Sequence, residues 1–175
     1  SRPALYLFGE SLGAFGGQAA FPHEADPAQV VEHASAVVWV GSPGGSNLWP
    51  RWRTDLRTAG PPYQPVIAGG NVARTALGVA DLDPAQPGWG PRRIVLLGHT
   101  VDPVVWWSGD LAFRYPDWLA EPGPGVDPRL RWWPITTLWS IGLDLAVGGG
   151  TPPGVGHNYQ PETASAVVAA LDPAD

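Results

Sequence analysis

Three short apolar runs constrain the fold most: ALYLF at 4–8, AVVWV at 36–40 and IVLL at 94–97. Each is continuous rather than alternating, which reads as a strand buried on both faces. Pro3 and Gly9 bound the first run, and GSPGGSN closes the second. Segments 11–20, 28–34, 50–58, 134–147 and 161–171 read as helices, with Pro50 and Pro134 suited to first turns. Strands interleaved with helices predict an α/β fold with a mostly parallel sheet and flanking helices. Residues 59–93 read mostly as loop, with PVIAG and NVART expected to pair as a small hairpin. No repeat or linker divides the chain, so residues 1–175 are expected to form a single domain. Within it, residues 106–150 form a Trp-rich excursion.

Glycine and proline, 23 and 21 residues, make up about a quarter of the chain, a share that alone hints at disorder. Ten tryptophans argue the other way, because disordered segments are poor in aromatics. The net charge is −6, lysine is absent and no basic stripe appears, so nucleic acid is not the expected partner. Without cysteine there is no disulfide, no thiolate nucleophile and no Cys-ligated metal. No run reaches the roughly 18 apolar residues of a membrane span, and no signal peptide opens the chain. This segment is therefore expected to be soluble. Arginine without lysine, with abundant Ala, Gly and Pro, suggests a GC-rich bacterial source. The chain also lacks methionine and begins almost directly on a strand, which is the expectation for a piece of a longer chain.

The first strand runs into Gly9-Glu10-Ser11-Leu12-Gly13. A Gly-x-Ser-x-Gly turn between strand and helix is the pattern of a nucleophile elbow. The serine takes a strained backbone there, and side chains at Gly9 and Gly13 are expected to clash with neighbouring elements. The Leu12 N–H, at the helix start, is the expected oxyanion donor. A serine nucleophile needs a base, and the base needs an orienting acid. In this chain order the acid follows a later strand, which selects Asp102, a few residues after IVLL; the plain alternative is a turn aspartate before Pro103. Of the four histidines, His23 and His33 precede any acid, and His99 is expected to be structural at the strand end or to support the site from behind its reacting groups. His157, in the loop GVGHNY, follows Asp102 and is the expected base. A metal site at His99, Asp102 and His157 is the rival use, but their spacing matches no compact ligand motif. Neither metal nor cofactor is expected. Trp106 and Trp107 follow the acid and are the expected substrate-binding aromatics, while most of the other tryptophans between Asp102 and His157 are expected to pack.

Taken together, GESLG at 9–13, GHTVDPVVWW at 98–107, RWWPITTLW at 131–139 and GVGHNY at 154–159 resemble the catalytic domain of a bacterial α/β-hydrolase family frequent in actinobacteria. The resemblance runs along nearly the whole chain. It implies Ser11 as nucleophile, Asp102 as acid and His157 as base. It also implies a membrane-spanning region ahead of this domain, hence membrane association. A fold of this kind has several strands before the elbow, and one of their loops supplies a second oxyanion donor. Here three residues precede the elbow strand, so those strands are expected from the same chain or a separate one, and this segment alone is expected to be a poor catalyst. The reading is a serine hydrolase acting on a small-molecule or lipid-like acyl ester through an acyl-enzyme. An acyltransferase with the same triad and a non-catalytic binding module are the alternatives.

Overall fold

The computed structural model describes residues 3–171. Its centre is a four-stranded, wholly parallel sheet. The elements run β1 (Tyr6–Glu10), α1 (Leu12–Ala19), α2 (Pro27–His33), β2 (Ala36–Val40), α3 (Trp49–Asp55), β3 (Arg57–Ala59), β4 (Val66–Ile67), β5 (Ala73–Ala76) and β6 (Arg93–Leu97). Then follow α4 (Pro103–Trp106), α5 (Asp117–Ala120), α6 (Thr136–Asp144) and α7 (Gln160–Leu171). The sheet order is β1-β2-β6-β5, so β2 and β6 are central and β1 is an edge of the described sheet.

The two central strands explain their own sequences. All five residues of β2 and all five of β6 are buried. Val37, Trp39, Ile94 and Leu96 face one core, shared with Val30, Trp49, Trp52, Trp106 and Trp118. Ala36, Val38, Val40, Val95 and Leu97 face the other, closed by Ala166, Ala169 and Ala170 of α7. Cover on both faces favours apolar side chains along 36–40 and 94–97, hence the continuous runs, with the buried Arg93 at the start of β6 the exception.

Local chemistry sets the helix starts. Asp26 and Gln29 form a reciprocal capping box on α2, with Pro27 in its first turn. α3 has no such cap of its own. Instead the buried Gln18 carboxamide of α1 accepts from Leu48 N (3.2 Å) and Trp49 N (2.8 Å). Trp52 donates its indole N–H to Ala25 O at 2.8 Å.

The α/β architecture and the parallel sheet are as expected, but β1, expected to be buried on both faces, is largely exposed at the edge of the described sheet, with Tyr6 58% and Phe8 55% exposed, and the connection over 59–93 differs. β4 pairs antiparallel with β3, and β5 joins the main sheet parallel to β6. PVIAG and NVART therefore do not form a hairpin. At the end of PVIAG and just after it, Ala68, Gly69 and Gly70 all take left-handed backbone, which turns the chain away rather than back. Ala73 and Ala76 are then buried in the sheet. The helix expected over 134–147 is confined to Thr136–Asp144, because Ile135 sits at φ 64°, outside the helical region. Among the described residues no helix is long and apolar enough to cross a membrane.

Candidate active site

Ser11 stands between β1 and α1 at φ 53°, ψ −115°, a conformation that is costly for a residue with a Cβ. Its amide donates to Val40 O at 2.9 Å, which ties the turn to the end of β2. Gly9 is required: a Cβ there would lie 2.5 Å from the backbone of Gly13. Gly13 is not required in the same way, since a Cβ on it would meet nothing within 4 Å among the described residues. The expected clash therefore holds for one of the two flanking glycines. Leu12 opens α1 with an exposed side chain, so its N–H belongs to the turn that a helix cannot satisfy internally.

Asp102 is fully buried at the start of α4. Its Oδ1 accepts from Val104 N at 2.8 Å, so the carboxylate is also the helix cap. Its Oδ2 accepts from His157 Nδ1 at 2.7 Å. His157 comes from the loop before α7 and packs against the end of β2. A Cβ on Gly41 would stand 2.7 Å from His157 Cε1 and 2.8 Å from Tyr159 Cε2. Gly41, itself at φ 55°, thus leaves the space that lets the imidazole reach the strand end where Ser11 is anchored. The hydrogen bond to Asp102 raises the His157 pKa above its ordinary value. Burial opposes this, and the negative charges of Asp102 and Glu10 add to it. His157 Nε2 is buried and has no hydrogen-bond partner among the described residues, so no bond to Ser11 Oγ is formed. Such links are often long without substrate.

The residues expected from the sequence are therefore partly assembled. Asp102 and His157 are bonded, and Ser11 and His157 converge on Val40 and Gly41. His23 and His33 are exposed and elsewhere, with His23 Nδ1 2.8 Å from Asn47 O. His99 is buried beside the pair. Among the described residues no group of three or more His, Asp or Glu side chains is placed to hold a metal ion.

The tryptophans divide. Trp106 and Trp118 are buried, and both line a cavity of about 330 Å³ that also borders Asp102, Ile141, Val147 and Gly156. Trp106 donates to His99 O at 3.1 Å. Ser11 and His157 do not line this cavity. Trp107 turns instead to α6, donating to Leu138 O at 3.2 Å, and is 36% exposed. Trp133 and Trp139 are 65% and 66% exposed, so they do not pack the excursion onto the body as expected.

The whole chain, residues 1–175, matches the model of an α/β-hydrolase family. The chain belongs to that family. Membership agrees with the parallel sheet and points to hydrolase-type activity. Neither a curated protein nor a solved structure matches the chain.

Sequence reasoning missed two residues of this α/β-hydrolase site. Tyr159 is fully buried and donates its hydroxyl to Asp102 Oδ2 at 2.5 Å. It stood two positions after the expected base, within GVGHNY, with no separate signal. Gly41 stood directly after the apolar run of β2, where a glycine reads as an ordinary turn.

Proposed function

We propose that this α/β-hydrolase is a serine hydrolase that cleaves an ester or related acyl substrate through an acyl-enzyme. The observation that carries the reading is the 2.7 Å bond from His157 to the fully buried Asp102, at the strand end to which Ser11 is tied. In this reading Ser11 Oγ attacks the acyl carbonyl and His157 Nε2 takes its proton. The same imidazole returns the proton to the leaving oxygen as the tetrahedral adduct collapses. Water, deprotonated by His157, then releases the acid. Asp102 holds the ring with Nδ1–H toward itself and stabilises the imidazolium. The Leu12 N–H donates to the developing oxyanion.

The tryptophan-rich 106–150 excursion, with Trp106 just after the acid, is taken to shape the site for an apolar, lipid-like substrate. Trp107, at the foot of α6, is the second aromatic of this proposal. The resemblance supports a bacterial, membrane-associated setting for residues 1–175 as one catalytic unit. Mixing the protein with a p-nitrophenyl acyl ester tests the chemistry. Slow release of p-nitrophenol and an acyl adduct on the Ser11 peptide are expected. Turnover that survives Ser11→Ala overturns the proposal.

A further inference from the structure

We propose that Tyr159 and His99 are positioning residues that hold the acid and base loops together, with the Tyr159 hydroxyl sharing Asp102 Oδ2 with His157. This deepens the serine-hydrolase reading and rests on its assignment of Asp102 and His157.

The geometry is closed on every side. The Tyr159 hydroxyl accepts from His99 N–H at 3.0 Å and donates to Asp102 Oδ2 at 2.5 Å. One donor and one acceptor leave its hydrogen no other acceptor in this arrangement. Burial, and then the charge of Asp102, push the Tyr159 phenol well above its ordinary pKa, so it keeps the proton that it donates. The His99 ring stacks on the Tyr159 ring, centroids 4.2 Å apart at 19°. His99 Nδ1 donates to the carbonyl of Gly156, the residue before His157, at 2.7 Å. Its other nitrogen faces Glu162 Oε1 of α7 at 3.6 Å, both side chains being nearly buried. Its backbone carbonyl accepts from Trp106, four residues past Asp102.

His99 and Tyr159 thus touch the turn that carries the acid, the loop that carries the base, and α7. A merely structural buried pair has no reason to end on the one carboxylate oxygen that binds the imidazole. Two donors on Oδ2 divide its charge between a neutral hydroxyl and the imidazole. Removing the hydroxyl should leave more of that charge to the imidazolium. The charged groups that act on His157 are Asp102 and, from the end of β1, Glu10. The Tyr159 ring meets its edge at 5.7 Å.

The test is an NMR titration of the His157 imidazole in the native protein and in Tyr159→Phe, which keeps the stacked ring. It requires no turnover, so it stands apart from whether Ser11 is reactive. The expected result is an upward shift of the His157 midpoint by about half a pH unit or more, because a competing donor is gone. A downward shift would mean that the hydroxyl draws no charge of Oδ2 away from the imidazole. No shift would mean that it does not share the oxygen. Either result overturns the proposal. His99→Asn and His99→Leu supply the second arm. Asparagine keeps a donor near the Nδ1 position, and leucine does not. The downfield Nδ1 proton signal of His157 should persist in His99→Asn and broaden or vanish in His99→Leu. Equal signals in the two variants would overturn the role of His99, and if His99→Leu does not fold, loss of the signal in His99→Asn would do so.

Discussion

Replacing Gly41 with alanine should damage the site and the fold together, by a calculable amount. Two costs add. The backbone sits at φ 55°, which costs an L-residue about 1–2 kcal/mol. The new methyl would then stand 2.7 Å from His157 Cε1 and 2.8 Å from Tyr159 Cε2, where real contacts do not occur. Tyr159 is fully buried and cannot retreat. The His157 ring can swing, but only by giving up its 2.7 Å bond to Asp102. Overpacking of this kind costs about 1–3 kcal/mol. The total of about 2–5 kcal/mol corresponds to a Tm lower by on the order of 10 °C, at roughly 2–4 °C per kcal/mol for a chain of this size. Calorimetry reads the stability, and NMR of the His157 Nδ1 proton reads the displaced ring. A Tm within 2 °C of the native protein (about 1 kcal/mol or less), with that signal intact, would refute the reasoning about how the imidazole is seated.

Other perturbations have expected outcomes of their own. Gly9→Ala should break the elbow, since its methyl meets Gly13 backbone at 2.5 Å, whereas Gly13→Ala should fold normally and gain up to about 1 kcal/mol from helix propensity. Equal effects of the two, read by denaturant unfolding, would contradict the elbow geometry. Gln18→Leu should cost about 2–4 kcal/mol, because it strips the acceptor from two N–H groups at the start of α3; urea unfolding with an unchanged midpoint would contradict this. For pH, the raised His157 pKa sets the sign. Its charged form contributes stability that is full below the unfolded value near 6.5 and is lost as pH rises through the higher folded value. Reactivity of Ser11 runs the opposite way over that window, because only the neutral ring accepts a proton. Asp102→Asn should move the rise to lower pH and slow Ser11 acylation by on the order of 10³–10⁴; an unmoved profile would contradict the role of Asp102.

Much of the architecture was legible because β2 and β6 are covered on both faces, and that covering writes itself as unbroken apolar sequence. The elbow was legible because a strained turn between strand and helix demands a residue without a side chain beside the serine, and Gly9 meets that demand. The pairing of Asp102 with His157 followed from chain order, which the folded sheet converts into proximity. The route over 59–93 was not legible. β3, β4 and β5 are two to four residues long, too short for a local pattern to announce their partners. Tyr159 escaped for a similar reason. A tyrosine in a loop carries no mark that its hydroxyl will end on a carboxylate 57 positions away. The tryptophans misled in part, because their count says nothing of which ones the excursion buries. Trp139 and Leu143 of α6 are more than half exposed, as are Ile135 before it and Val147 after it.

The most direct test of the central claim is labelling of the purified protein with a fluorophosphonate, read by intact mass and by peptide mapping. The account predicts a single phosphonyl adduct on Ser11, lost in Ser11→Ala and much slowed in Asp102→Asn. A folded protein that takes up no label at Ser11 across the pH range would contradict it.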